Sequence, residues 1–250
     1  MTQDERLIEI SAHIKNQGKI TIEEICTEYG ISYDSARRDL VKLTRQPGIL
    51  RIRGGAILDD KSVSLSFAQR SMESPIKQKL AEFGASLVKE KDILFIDAGT
   101  TCATLARYLD TPCSIITNSF ECLYEVRNKS MIKKSVLGGS FDDFSHAILG
   151  EMTTQQIRCY QANKAFIGVS ALSSAGITTD LESDANLKKA MAAQSTQVIC
   201  IAEASKINTQ LMYQSCAWSD IDLLITNERP PETIMEKIDA FGVELMIVEC

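Results

Sequence analysis

Two Thr-x-x-Glu capping boxes, Thr2 to Glu5 and Thr21 to Glu24, and a Gly30-Ile31 turn ahead of Ser32 cut the N-terminal stretch into three short helices. The first carries Leu7, Ile10 and Ile14 on one face and stops at Gln17-Gly18. The second spaces Ile22, Ile25, Cys26 and Tyr29 at helical intervals and ends at Gly30. Ser32 caps the third, whose Ala36, Leu40 and Leu43 turn inward and leave Ser32, Tyr33, Ser35, Arg37, Arg38 and Lys42 outside. Two helices across a tight glycine turn form a helix-turn-helix, and the second helix of such a unit enters the DNA major groove. Arginine suits that position because its planar fork grips a guanine edge or a phosphate with two bonds. Arg37 and Arg38 are the expected contacts, with pairing to Asp34 or Asp39 as the competing role. Asp39 itself is expected to orient an arginine rather than touch DNA.

Residues 48–56, Gly-Ile-Leu-Arg-Ile-Arg-Gly-Gly-Ala, alternate apolar and basic side chains and close on glycines, which predicts a β-hairpin wing. Period-two alternation places Arg51 and Arg53 toward a phosphate backbone and Leu50 and Ile52 against the helices. The charge distribution fits. The whole chain carries a net charge of −6, yet residues 33–53 hold six basic side chains against two acidic ones. A compact basic surface on an acidic protein supplies local phosphate contacts, and the acidic remainder excludes indiscriminate coating of nucleic acid. Charge alone is explained equally well by a solvated helix face.

Beyond the wing, residues 58–75 mix Asp, Lys, Ser and Gln without periodicity and read as a linker. The expected organisation is a winged helix-turn-helix over residues 1–57, this connector, and a larger α/β domain over residues 76–250. In that domain Ile76, Leu80, Phe83 and Leu87 mark a helix, Ile93 to Ile96 a buried strand, Cys102 to Leu109 a helix and Ser114 to Thr117 a strand. Further strands are expected at 164–169, 197–202, 221–225 and 244–248, with helices at 184–193 and 232–241. Such alternation predicts a mostly parallel sheet covered by helices, whose ligands bind beyond the carboxyl ends of the strands. Four polar loops stand there: Asp97-Ala98-Gly99-Thr100-Thr101, Thr117-Asn118-Ser119, Gly138-Gly139-Ser140 and Ala204-Ser205-Lys206. Taken singly, each is as readily a helix cap as an anion site.

The motifs together resemble the DeoR family of bacterial sugar-operon regulators. Ser32, Arg37-Arg38-Asp39-Leu40 and Arg51-Ile52-Arg53-Gly54-Gly55-Ala56 match its recognition helix and wing, with Ser35-Ala36 where Thr-Ile is usual and Arg53 where His is often found. Asp97-x-Gly99-Thr100-Thr101, Thr117-Asn118, Leu137-Gly138-Gly139, Gly176-Ile177-Thr178-Thr179, Lys188-Lys189-Ala190-Met191 and Ser205-Lys206 follow in family order. The resemblance implies an α/β fold in which a winged helix-turn-helix precedes a mostly parallel sheet domain resembling ribose-5-phosphate isomerase. It also implies a pocket for a small phosphorylated sugar formed by Asp97, Gly99, Thr100, Thr101, Thr117, Asn118, Gly138, Gly139, Lys188 and Lys206. One segment departs: Gly168-Val169-Ser170-Ala171-Leu172 stands where Gly-Ala-Asp-Gly-Ile is usual, so an acidic side chain is missing. A sugar isomerase needs a carboxylate base near the carbonyl, and its loss favours a sensor over an enzyme.

The expected partners are therefore double-stranded operator DNA and a phosphorylated sugar, with the chain acting as a repressor in the form of a homodimer or homotetramer. The alternative is a phosphosugar isomerase with an accessory DNA-binding domain. No membrane, cofactor or metal is expected, because no apolar run approaches the roughly 20 residues a bilayer requires and eight cysteines and two histidines lack zinc-site spacing. The N-terminus carries no basic-then-apolar leader, so a cytoplasmic location with reduced, packed thiols is expected.

Overall fold

The computed structural model describes residues 2–44, 49–58, 66–70 and 72–249. The chain divides into two compact units, residues 1–63 and 64–250. Of the expected features, Gly48 at the foot of the wing, residues 59–65 and 71 of the connector, and Cys250 lie outside the described residues.

In the smaller unit, α1 (Gln3–Gln17), β1 (Lys19–Thr21), α2 (Ile22–Tyr29) and α3 (Tyr33–Leu43) precede a hairpin of β2 (Ile49–Ile52) and β3 (Gly55–Leu58). Both capping boxes form: the Glu5 N–H donates to Thr2 Oγ1 at 3.3 Å, and the Glu24 N–H to Thr21 Oγ1 at 3.2 Å. The Ser35 N–H donates to Ser32 Oγ at 3.3 Å and starts α3. Ile10, Ile14, Ile20, Ile25, Ala36, Leu40 and Leu43 close one core with Ile49 and Ala56. Each fully buried isoleucine or leucine contributes roughly 1.5–3 kcal/mol, enough to hold helices too short to persist alone.

The wing is part of a three-stranded sheet in the order β1-β3-β2. The Gly54-Gly55 pair serves two distinct needs. Gly54 takes φ +86°, and a Cβ on Gly55 would lie 2.2 Å from the Ile20 carbonyl oxygen, so β1 approaches β3 only because Gly55 has no side chain. The inward–outward pattern of β2 corrects the expectation. Ile49 is buried, whereas Leu50 and Ile52 are 48% and 41% exposed. Arg51 is paired with Ala56, which pairs with the buried Ile20, so the arginine shares the face that turns toward the core. Arg51 is nonetheless exposed, and Leu50 and Ile52 occupy the outer face.

The larger unit begins inside the expected linker. A single 3-10 turn at Phe67–Gln69 is held by the Ser66 N–H donating to Gln69 Oε1 at 3.0 Å. Phe67 is buried, its N–H donates to the Phe144 carbonyl at 2.8 Å, and its ring stacks on His146 at 4.7 Å. Then come α4 (Pro75–Ser86), β4 (Ile93–Ile96), α5 (Thr100–Tyr108), β5 (Ser114–Thr117), α6 (Phe120–Val126) and β6 (Lys133–Val136). They are followed by β7 (Ser140–Asp142), β8 (Ala147–Leu149), α7 (Glu151–Ile157), β9 (Ala162–Gly168), β10 (Ala171–Ser173), β11 (Gly176–Thr179) and α8 (Glu182–Ala193). The chain ends through β12 (Ser195–Ala202), β13 (Tyr213–Cys216), β14 (Leu223–Thr226), α9 (Glu232–Phe241) and β15 (Glu244–Ile247).

Seven strands form one sheet, in the order β15-β14-β12-β9-β4-β5-β6, and every pairing in it is parallel. Strands β7 and β8 make a hairpin, and β10, β11 and β13 a small antiparallel sheet. Both faces of the main sheet are covered. Leu94, Ile96, Phe166, Ile199 and Ile201 pack with Leu80, Ala81, Cys102 and Leu105 of α4 and α5. Phe95, Ala165, Ile167, Cys200 and Leu224 pack with Leu187 and Met191 of α8 and Ile234 and Ile238 of α9. Burial on both faces is why these strands read as unbroken apolar runs rather than alternating ones. Strand β6 escaped the sequence reading because, at the sheet edge, Lys133-Lys134-Ser135-Val136 has no such run. No helix among the described residues is long and apolar enough to cross a membrane.

Cys102, Cys122, Cys200 and Cys216 are buried, and burial pushes the Cys122 and Cys216 thiols up to about 12. Cys159 is exposed. In native protein at about pH 8 a thiol reagent is expected to label Cys159 and to reach these four only in denaturant. Peptide mapping that found any of the four labelled in the native state would contradict this packing.

Candidate functional site

The chain order of the main sheet reverses at β4, whose neighbours are β5 on one side and β9 on the other. Loops leaving two adjacent strands there diverge and leave a crevice beyond their carboxyl ends. A cavity of about 240 Å³ lies at this point, lined by the loop after β4, the loop after β9 and the segment after β12. Ligand clefts commonly measure roughly 300–1,000 Å³, so this one suits a small metabolite rather than a dinucleotide.

Gly99, Thr100, Thr101, Lys188 and Lys206, all expected from sequence, line it. Gly99 precedes α5 with φ +128°, and no side chain caps the helix there. The first N–H groups of α5 thus open toward the cavity and favour negative charge. The sequence reading missed Gln69, Arg70, Lys77 and Glu203, which also line it, together with Ser205 of the expected fourth loop and Ser170 of the segment that departs from the family pattern. Arg70, Lys77, Lys188 and Lys206 set four cationic side chains against one carboxylate, that of Glu203. Lys77 Nζ lies 3.5 Å from Glu203 Oε1, and burial pulls the Lys77 pKa down. Burial likewise lowers the Arg70 pKa, with Asp184, Asp180 and Asp97 opposing it. A smaller cavity adjoins the first and shares Arg70, Ala98, Ser170 and Lys188 with it; Thr179, Asp180 and Asp184 line its far side.

Beneath the floor lies a buried charge cluster. Lys188 Nζ donates to Asp97 Oδ2 and lies 3.2 Å from Asp184 Oδ1, while the Gly168 N–H donates to Asp97 Oδ2 at 3.1 Å. Burial opposes the Lys188 charge, but Asp184 and Asp97 outweigh it and hold the ammonium above its ordinary pKa. Burial, with the Asp184 charge, moves the Asp97 carboxyl up despite Lys188. Asp97 therefore stands behind the cavity as the partner of Lys188, and its Oδ1 has no partner among the described residues.

The remaining expected residues are not brought to either cavity. Thr117 Oγ1 donates to the Ile96 carbonyl at 2.6 Å and accepts the Ser119 N–H at 3.1 Å. Asn118 is buried, its carbonyl accepting the Ile148 N–H at 2.8 Å, and neither polar atom of its side chain has a partner among the described residues. The Gly138 N–H donates to Gln156 Oε1 at 3.0 Å, and its carbonyl accepts from Thr153 Oγ1 at 3.0 Å. A Cβ on Gly139 would lie 2.1 Å from Thr153 Oγ1. Gly138-Gly139 is thus a docking turn for α7, built from the glycines that looked like an anion loop.

On the smaller unit, Ser32, Tyr33, Arg37, Arg38, Lys42, Arg51 and Arg53 are exposed and Ser35 is half-buried. Neither arginine of α3 pairs with a carboxylate among the described residues; the Arg38 Nε–H donates to the Asp34 backbone carbonyl at 3.2 Å. Asp39 is fully buried and binds α1 instead, accepting from Arg6 Nε at 2.7 Å and from Gln3 Nε2 at 2.7 Å.

A small unit of helix-turn-helix and wing, joined to a sheet domain with a cationic cavity at its switch point, defines a ligand-responsive transcriptional regulator. The chain belongs to the DeoR family: a DeoR-like helix-turn-helix domain matches residues 6–62 and a DeoR C terminal sensor domain matches residues 73–228. It is 38% identical to the HTH-type transcriptional repressor GlcR of Bacillus subtilis, with 100% of this chain and 98% of that protein covered. It is 27% identical to the glycerol-3-phosphate regulon repressor of Escherichia coli, over 98% and 99% of the two chains. Among solved structures, ribose 5-phosphate isomerase A of Methanocaldococcus jannaschii overlays at a TM-score of 0.38, with 17% identity and 52% and 53% coverage. The chain is a regulator and not an isomerase, as its two domains and full-length relatives agree.

Replacing Lys188 by Met leaves Asp97 and Asp184 buried without their cation. Losing one member of such a cluster costs about 3–5 kcal/mol, so K188M is expected to lower the urea midpoint markedly. An unchanged midpoint would show that the cluster does not hold α8 to the sheet.

Proposed function

We propose that this protein is a repressor that holds operator DNA through α3 and the wing, and whose grip changes when a small phosphorylated sugar occupies the cavity beyond β4, β9 and β12. One observation carries the sensing half: four cationic side chains and the open N-terminus of α5 converge on a cavity of metabolite size. A phosphate ester fits this better than a neutral sugar, because dispersed N–H groups and ammonium charges stabilise a dianion. The regulon named for glycerol 3-phosphate in one relative accords with such a ligand. For the DNA half, Arg37 and Arg38 are exposed and unclaimed by carboxylates among the described residues, while Ser32, Tyr33, Ser35 and Lys42 flank them on the same helix and its cap. Arg51 and Arg53 extend the basic surface along the wing. Helix-turn-helix proteins read paired half-sites, so the working form is a homodimer or homotetramer, acting in the cytoplasm where operator DNA and phosphorylated sugars meet.

Binding to the regulatory DNA beside its own gene provides the test. Arg37→Ala is expected to weaken operator binding by about 1–3 kcal/mol and to relax sequence preference, while Arg51→Ala weakens all sequences alike and lowers the salt slope by about one. Titrating triose, pentose and hexose phosphates into the complex is expected to reveal one that shifts DNA affinity, with a reciprocal shift in its own affinity when DNA is present. If none of them alters binding, the sensing half fails; if R37A binds operator as wild type does, the DNA half fails.

A further inference from the structure

Arg70 lies in the span that the sequence reads as linker, four residues ahead of Ser74, the residue that precedes α4. Its side chain lines both the main cavity and the smaller one, in company with Lys188. Its Nε is fully buried, and among the described residues the guanidinium forms no hydrogen bond or ion pair; the Phe67 ring lies 5.7 Å from its central carbon. Of the carboxylates facing it, Asp97 and Asp184 already hold Lys188, and Asp180 lines the smaller cavity without forming an ion pair with Arg70. A largely buried guanidinium with open donors is costly unless an acceptor completes it, and the planar fork of arginine matches an oxyanion with two bonds.

We propose that Arg70 binds the anionic group of the effector directly, so that the ligand bridges the N-terminus of α5 to the segment that opens the larger unit ahead of α4. This rests on the sensing reading above and extends it: occupancy is felt at the one charged lining residue that precedes α4. The segment is built for this. Phe67 is fixed to the β7–β8 hairpin through the Phe144 carbonyl and the His146 ring, so the position of Arg70 is set three residues away by packing that the ligand does not touch. A phosphate ester is the class of ligand the arrangement selects, because the α5 N–H groups take one set of its oxygens and the Arg70 fork takes another.

The test uses full-length protein, with inorganic phosphate, glycerol 3-phosphate, a pentose 5-phosphate and glucose 6-phosphate as calorimetric probes. Arg70→Gln is expected to weaken whichever phosphorylated probe wild type binds by about tenfold to a hundredfold, the range of a hydrogen bond to a charged group. Arg70→Lys, which keeps the charge but not the fork, is expected to fall between the two. Both variants should require correspondingly more ligand for release from operator DNA. A folded R70Q that binds the probe as tightly as wild type overturns the Arg70 assignment and leaves the sensor reading standing. Wild type that binds none of the phosphorylated probes overturns both. Should R70Q melt early, R70K decides: unchanged affinity and unchanged release refute the proposal, and loss of both supports it.

Discussion

The ammonium of Lys188, held between Asp97 and Asp184, is the contact on which the larger unit is arranged. Asp97 follows strand β4, Lys188 and Asp184 share one face of α8, and the Gly168 N–H brings the end of β9 to the same carboxylate. A charge cluster buried at this depth is tolerated only because each member answers another, and the cost of separating them is what makes the arrangement specific. The loop after β4, the loop after β9 and α8 are therefore fixed relative to one another before any ligand arrives. The cavity above them inherits that rigidity, and fixed donors cost less to use in binding than mobile ones.

The smaller unit uses the same device at another scale. Asp39 points into the protein and anchors Arg6 and Gln3 of α1, which orients α3 rather than adding to its outer face. The consequence is electrostatic as well as mechanical. With Asp39 neutralised internally, Arg37, Arg38 and Lys42 present their charge outward against a single exposed carboxylate of their own helix, that of Asp34. The adjacent Arg-Arg-Asp residues thus divide the work, two facing solvent and one facing the core.

Much of this was legible in the sequence because local rules and tertiary packing agreed. The capping boxes at Thr2 and Thr21, the cap at Ser32 and the buried strands at 93–96 and 114–117 form as their residue patterns require. What could not be read depends on relations between distant residues. Leu50 and Ile52 look like an inward face until the pairing of Arg51 with Ala56 and of Ala56 with Ile20 sets the register. Gly138-Gly139 looks like an anion loop until α7 is seen to press against it. Arg70 stood in a span without periodicity, yet Ser66-Phe67-Ala68-Gln69 carries the Ser-x-x-Gln signature of an ordered turn, a signal that could have moved the edge of the larger unit toward the N-terminus.

The wholly parallel sheet sets the order in which this protein can be completed. Strands β4, β5 and β6 lie within residues 93–136, while the other edge of β4 must wait for β9, which begins at residue 162. Parallel neighbours of this kind close long loops before their contacts repay the lost entropy, so they join slowly. The cavity draws its lining from residues 69 to 206, so it cannot exist on a chain still emerging from the ribosome before that last lysine is made. Until β9 joins, an edge bearing Leu94, Phe95 and Ile96 stays open to other chains. Competence to sense is thus gained only late in synthesis, and ligand at hand during synthesis has nothing to bind until the sheet has been joined from both sides.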